Sequence, residues 1–233
     1  MPPIGKLVLV ATPIGNLDDV SKRALENLRE ADFWIVEDTR VSAKLQGAVG
    51  AKKPMRVLNE HTTAKGIADL VAEMHAGKSA ALITDGGCPV VSDPGSMLVD
   101  ACRSHAIEID AVPGPSAVTT ALMLSGFFGQ RFVFLGFLPR KPGPMRSELA
   151  QFKESALTIV LFESPFRIEA LMKAVGEALP GRKYAICREL TKIHQQVFRG
   201  VSPIIPSESE VPRKGEFTIV VEGKRRKADS ERT

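Results

Sequence analysis

The sequence is poor in three things: its 233 residues hold three cysteines, four histidines and no long apolar run. No stretch approaches the roughly 20 apolar residues of a membrane-spanning helix, and the start, MPPIGKLVLVATPIG, lacks a cleavage-like segment, so a cytoplasmic location is expected. Cys88, Cys102 and Cys187 are far apart, odd in number and form no CxxC pair. That excludes a disulfide framework and a zinc ribbon and leaves reduced thiols. His61, His75, His105 and His194 lack the spacing of HExxH, and no metal is expected. Both phosphate-loop signatures, GxGxxG and GxxxxGK[ST], are also missing, and the loop after the first apolar run, TPIGN, has a proline where a phosphate cradle needs backbone N–H groups.

What remains is a soluble globular composition, 44% hydrophobic and 25% charged. Its net charge of +4 hides an asymmetry. Residues 1 to 118 carry 12 Lys/Arg against 15 Asp/Glu, and residues 119 to 233 carry 19 against 12. An anionic partner would therefore be met by the second half, unless the excess is only a solvated surface and a basic tail.

The first half alternates strand patterns with helical ones. KLVLVA (6–11), DFWIVE (32–37), MRVLN (55–59), AALIT (80–84) and IEIDAV (107–112) read as strands, each followed by helical periodicity, which predicts a mostly parallel sheet covered by helices. In DDVSKRALENLREA, Val20, Ala24, Leu25 and Leu28 share a face, with Asp18 or Asp19 as the expected N-cap. A helix beginning near Pro115 should end at Gly126. From there RFVFLGF, ALTIVLFE, KYAICRE, QQVFRGV and EFTIVVEG follow with less helix between them, which predicts a second, mixed sheet. The expected domains are 1–123 and 124–223, with 224–233 a disordered basic tail.

In a parallel sheet, ligands gather outside the carboxyl ends of the strands. The loops there, TPIGN, EDTR, NEHTT, TDGGCPVVSDPG and PGPSA, are all unusual, whereas the returning loops are ordinary charged turns and caps. The carboxyl edge is therefore the expected site. It gathers Glu37, Asp38, Arg40, Glu60, His61, Asp85 and Asp93. These suit an acid/base set, or helix caps with an Asp38–Arg40 ion pair, and Asp93 reads as the cap of the helix beginning PGSMLVDAC. Cys88 is a candidate nucleophile or a small packing residue; Pro89 behind it and the lack of any histidine brought to it favour packing.

VATPIGNLDD, ADFWIVEDTR, NEHT, TDGGCPVVSDPG, VPGPSAVTTAL, FLGFLPRK, FESPFR and RELTK, in that order from about residue 6 to 222, resemble the ribosomal small subunit methyltransferase I family of the tetrapyrrole methylase superfamily. The resemblance implies an α/β fold of two α/β domains of the tetrapyrrole methylase (class III methyltransferase) type, with S-adenosylmethionine in the inter-domain cleft, and a homodimer. It implies 2′-O-methylation of a cytidine ribose in 16S rRNA, with the rRNA or small ribosomal subunit as partner. The alternatives are a tetrapyrrole or other small-molecule acceptor, and a non-catalytic module that binds cofactor or RNA. By resemblance, Pro13, Asp85, Gly87, Cys88, Pro89, Ser116 and Ala117 contact the cofactor, as do Phe162, Glu163, Glu189, Leu190 and Gly215 of the second domain. Such a pocket need only align acceptor, methyl and sulfur and exclude water. Glu37 or His61 is the candidate general base, and Arg40 a holder of an RNA phosphate.

Overall fold

The computed structural model describes residues 3–225, so most of the tail 224–233 lies outside the described residues. Two compact units appear, Met1–Ser116 and Ala117–Thr233.

In the first unit, β1 (Lys6–Val10), β2 (Phe33–Val36), β3 (Met55–Val57), β4 (Ala80–Leu82) and β5 (Glu108–Val112) form a wholly parallel sheet in the order β3-β2-β4-β1-β5. The helices are α1 (Lys22–Glu30), α2 (Thr39–Val49), α3 (Ala64–His75) and α4 (Ser96–Ser104). Successive strand residues point to opposite faces, and on the central strands β1, β2 and β4 both faces are apolar, as a sheet covered on both sides requires. Leu7, Phe33, Ile35 and Leu82 pack with Leu70, Met74, Leu98 and Cys102 of α3 and α4. Val8, Val10, Trp34 and Val36 pack with Leu28 of α1 and Leu45 of α2. The fully buried Trp34 keeps its indole N–H satisfied by donating to the Leu28 carbonyl at 2.9 Å.

The cap of α1 differs from the expectation. Ser21, not Asp18 or Asp19, is the N-cap, its hydroxyl accepting from the Ala24 N–H. The two aspartates sit in a separate 3-10 turn, Leu17–Asp19, capped by Asn16. Val20 leaves that turn in an extended conformation, so the helix starts later than the periodicity suggests.

The second unit has β6 (Phe132–Phe137), β7 (Thr158–Glu163), β8 (Lys183–Arg188), β9 (Gln196–Val201) and β10 (Phe217–Val221), in the order β6-β7-β10-β8-β9. Only β6 and β7 run parallel, so this sheet is mixed, as its shorter connections predicted. Met145 and Leu149 of α6 (Pro142–Ala150) and Leu171, Met172 and Val175 of α7 (Ile168–Ala178) share a core with Ile159, Leu161, Tyr184, Ile186 and Ile219 of the strands. The helix α5 (Ala117–Ser125), expected in the first domain, packs on this second sheet. Its fully buried Ala121 offers its carbonyl to the Cys187 thiol of β8 at 3.9 Å, and two small side chains at that crossing let helix and sheet approach closely. The boundary between the units accordingly falls at Ser116/Ala117, seven residues before the expected 123/124.

Candidate active site

The loops leaving the carboxyl ends of the first sheet are bonded to one another. Thr12, after β1, exchanges backbone hydrogen bonds with Gly87, after β4, at 2.9 and 3.1 Å. The buried Thr12 hydroxyl donates to the Thr84 carbonyl at 3.1 Å. Pro13 lies against this loop so closely that a Cβ at Gly86 would stand 3.4 Å from its carbonyl oxygen. Gly87 itself has φ +97°, a conformation that costs a side-chain-bearing residue energy. Cys88 joins the third loop, its thiol donating to the Pro115 carbonyl at 3.5 Å, one residue before Ser116. Burial raises the Cys88 pKa, so the group is a packed thiol and not an activated thiolate.

After Pro89 the loop stores backbone strain. Val90 and Ser92 have φ of 72° and 70°, and for a β-branched valine that region is strongly disfavoured. Such strain concentrates at sites where the surrounding structure over-determines the chain.

Beside this loop is a cavity of about 910 Å³, lined by Glu37, Asp38, Arg40, Asn59, Glu60, His61 and Asp85 among others. Four of these side chains are carboxylates. Asp38 caps α2, accepting from the Arg40 N–H at 2.8 Å, and also accepts from the Arg40 guanidinium at 2.6 to 3.2 Å. Those hydrogen bonds hold the Asp38 carboxyl down at about 2. The Arg40 charge is thus already committed locally, although its side chain is exposed.

Glu37 is the carboxylate moved the other way. Burial raises its pKa first, and the neighbouring charges of Asp85, Asp93, Asp38 and Glu60 raise it further. Asp85 is raised by burial, with Asp38 adding to the effect. Asp93 is raised by burial, against the Thr84 hydroxyl that bonds it. Asp93 is not the helix cap that the sequence suggested: Gly95 occupies the N-cap of α4, with φ 135° and no side-chain bond. The His61 ring is exposed, 3.6 Å from Glu60, while its backbone N–H is held by Asn59 Oδ1 at 3.0 Å. Asn59, which fixes this loop, and Thr12, which ties the first loop to the fourth, are not singled out from the sequence; their only signal was a polar residue following a buried apolar one, Leu58 or Ala11, at the end of a strand segment.

In the second unit, β10 starts between the ends of β7 and β8, since Phe217 is paired with both Glu163 and Arg188. This edge therefore gathers Phe162, Glu163, Glu189, Leu190 and Gly215. Glu189 Oε1 accepts from the Glu216 N–H at 2.9 Å and from Lys192 at 3.0 Å, while Glu189 donates its own N–H to the Glu216 carbonyl at 2.9 Å. Burial is the largest influence on its pKa and acts upward, but these donors together prevail and lower it. Gly215 has φ +95°, and a Cβ there would stand 2.5 Å from the Glu189 carboxyl carbon. Leu190 is buried, and Phe162 stacks edge-on against Phe134 at 4.8 Å. Glu163 is buried with one oxygen accepting from the Ser164 N–H at 2.8 Å. Its other oxygen is 3.2 Å from the Arg167 guanidinium, an ion pair without hydrogen-bond alignment, and burial raises its pKa. Ala117, the last of the expected contacts, opens α5.

Among the described residues no group of three or more His, Cys, Asp or Glu is arranged to hold a metal ion, and no helix is long and apolar enough to cross a membrane. The profile of the Tetrapyrrole (Corrin/Porphyrin) Methylases matches residues 6–203. The chain is 44% identical over 222 residues to a ribosomal RNA small subunit methyltransferase I of Thermotoga maritima, covering 95% of this chain and 100% of the relative. Proteins of the same name from Mesorhizobium japonicum and Mycobacterium bovis are 42% and 40% identical, covering 96% and 94% of this chain and 77% and 78% of theirs. In fold it is similar to the uroporphyrin-III-C-methyltransferase of Thermus thermophilus, with a TM-score of 0.63 at 22% identity over 94% of each chain.

Proposed function

The chain belongs to the tetrapyrrole methylase family and, within it, to the ribosomal RNA small subunit methyltransferase I enzymes, and from that premise we propose that it methylates a cytidine ribose 2′-hydroxyl of 16S rRNA, using S-adenosylmethionine. The observation that carries the reading is the acidic cavity beside the bonded loops of Pro13, Asp85, Gly87 and Cys88. The residues fit the cofactor. Gly86 and Gly87 leave bare backbone beside Pro13 and Ile14, and the φ of +97° at Gly87 keeps that position without a side chain. The carboxylates of Glu37, Asp85 and Asp93, each raised by burial, are stabilised by a cation, and a sulfonium is one. When bound, the cofactor supplies an already activated methyl group, so neither a metal nor a covalent nucleophile is required.

The chain's own groups then have three tasks. Gly87, Cys88 and Pro89, with Pro13 and Ser116, shape the wall on which the cofactor lies. Glu37 receives the ribose proton; its raised pKa brings it closer to the operating pH, as an effective general base requires. His61, on the loop after β3, and Arg40, in the first turn of α2, are both exposed at the same cavity and contact the acceptor nucleotide. In the second unit, Phe162, Glu163, Glu189, Leu190 and Gly215 gather at one sheet edge and are the residues there that we assign to the cofactor.

RNA as the acceptor is supported by the charge of the second unit. A cavity of about 760 Å³ there is lined by six Lys/Arg and two Glu. Arg182 is spent on backbone carbonyls of Phe152, Lys153 and Glu222, Lys224 pairs with Glu154, and Arg225 pairs with Glu222. Lys153, Lys183 and Arg199 have no ion-pair partner among the described residues and can meet phosphates. We take the location to be the bacterial cytoplasm, where ribosomes are, and the assembly to be a homodimer, which sedimentation velocity tests. The function is tested by incubating the protein and methyl-labelled S-adenosylmethionine with 30S subunits, naked 16S rRNA or uroporphyrinogen, then mapping the label. A 2′-O-methylcytidine is expected; label on a base, on the tetrapyrrole or nowhere overturns the reading.

A further inference from the structure

Phe166 is 94% exposed, the most solvent-accessible aromatic ring among the described residues. Its position is built, not frayed. It occupies the turn between β7 and α7, which the Arg167 N–H closes by donating to the Ser164 carbonyl at 3.0 Å. The apolar face of α7 begins two residues later with Ile168, so the ring is held off the core. Arg167 also donates to the Leu138 and Pro139 carbonyls at 3.0 and 3.2 Å, and stands 3.2 Å from Glu163. One guanidinium thus staples the Phe166 turn to the loop that leaves the neighbouring parallel strand β6.

That second loop carries Arg140 and Lys141, both exposed and without an ion-pair partner among the described residues. At its start Phe137, 58% exposed, is braced against Phe162 at 5.8 Å. Exposed aromatic surface beside free cations is the chemistry that holds unpaired RNA: bases stack on the ring and phosphates pair with the cations. It sits on the strand-end edge that also bears Glu163.

Resting on the rRNA reading above, we infer that Phe166 is a stacking platform for an unpaired base of the substrate RNA, with Arg140 and Lys141 holding the adjoining phosphates. The contact fixes the strand for reaction and takes no part in the chemistry, so Phe166 is a positioning residue.

The test uses the full chain. F166A should weaken binding of a 16S rRNA fragment containing the methylated nucleotide by about 5- to 150-fold, the range for losing one stacked base. KM for the RNA should rise while S-adenosylmethionine binding stays as in the wild type. F166W should restore affinity, and its exposed indole, distinguishable from the buried Trp34 by its red-shifted emission, should be quenched as RNA is added. R140Q/K141Q should lower the slope of log affinity against log salt by about 1.4, the value for two single-strand phosphate contacts, whereas F166A should leave the slope unchanged. Wild-type RNA binding by F166A, no quenching in F166W, or a changed sedimentation coefficient in F166A, which marks a contact between copies of the chain, each overturns the platform while leaving the function intact. A wild-type protein that neither binds nor methylates rRNA overturns the function, and the platform with it.

Discussion

Gly215→Ala should damage stability and cofactor binding together, and the size of the first effect follows from two independent costs. The backbone at Gly215 has φ +95°, and placing an L residue in such a region costs about 1–2 kcal/mol. The new Cβ would also stand 2.5 Å from Cδ and Oε1 of Glu189, which must move. Glu189 cannot move freely, since Oε1 holds the Glu216 N–H at 2.9 Å and Lys192 at 3.0 Å. Losing one such charge-assisted bond costs about 1.5–3 kcal/mol. The sum is about 2.5–5 kcal/mol, or about 5–20 °C in Tm at a few degrees per kcal/mol. Urea denaturation followed by circular dichroism measures the first effect, and titration calorimetry with S-adenosylmethionine the second. Glu189→Gln separates them: it keeps the side-chain shape and one acceptor, so it should retain most of the stability. A Gly215→Ala protein within about 0.5 kcal/mol of the wild type would refute the close approach from which both costs were worked.

Glu37→Gln should lower methyl transfer by about 10²- to 10⁴-fold. Because the folded protein raises the Glu37 pKa above 4.5, the stability associated with this group is fully present below that pH and is lost as pH rises through the folded value. The Gln variant should therefore match the wild type near pH 4 and exceed it at pH 7, which denaturant melts at the two pH values check. Replacing Lys153, Lys183 and Arg199 with Gln should weaken rRNA binding uniformly across sequences and reduce the salt slope by about 2, with cofactor affinity unchanged in calorimetry. Cys88→Ser should keep methyl-transfer activity within about threefold, less than 0.7 kcal/mol in the barrier, because the half-buried thiol serves packing; loss of activity would return Cys88 to the chemistry.

The sheets were legible in the sequence because their central strands are short continuous apolar runs, their edge strands alternate, and both end abruptly at Gly, Pro and polar residues. The periods of 2 and 3.6 distinguish KLVLVA from KRALENLRE without further information. The carboxyl edge was legible for the same reason, since five irregular loops followed five strands. What failed were local competitions that pattern does not resolve. Asp18, Asp19 and Ser21 are all good N-caps, and the intervening 3-10 turn decided for Ser21. Asp93 looked like a cap, but the Thr84 hydroxyl claims it and Gly95 takes the cap position. Helix α5 was assigned by its position in the chain, whereas membership of a unit is fixed by which sheet its small face meets. At the site, the Asp38–Arg40 pair was readable from a spacing of two residues. The strain at Val90 was not, because nothing in a valine announces a left-handed backbone.

The charge asymmetry also acquires a physical account. In the first half, four of the fifteen carboxylates line one cavity, where Arg40 neutralises only Asp38. Each remaining carboxylate repels a phosphate and attracts a cation, the half-buried Glu37 more strongly than the exposed Glu60. Such a cavity admits a sulfonium and a neutral ribose hydroxyl and turns phosphate groups away. On the proposed reading this cavity offers a polyanionic substrate only Arg40 and His61, so most of its attraction must be supplied elsewhere. The second half, with 19 cations against 12 carboxylates, and with Arg140, Lys141, Lys153, Lys183 and Arg199 in no ion pair among the described residues, is where this chain carries that charge. The near-neutral total is then the sum of two opposed requirements, selection of the reacting groups by acidity and retention of the RNA by basicity, each met by its own unit.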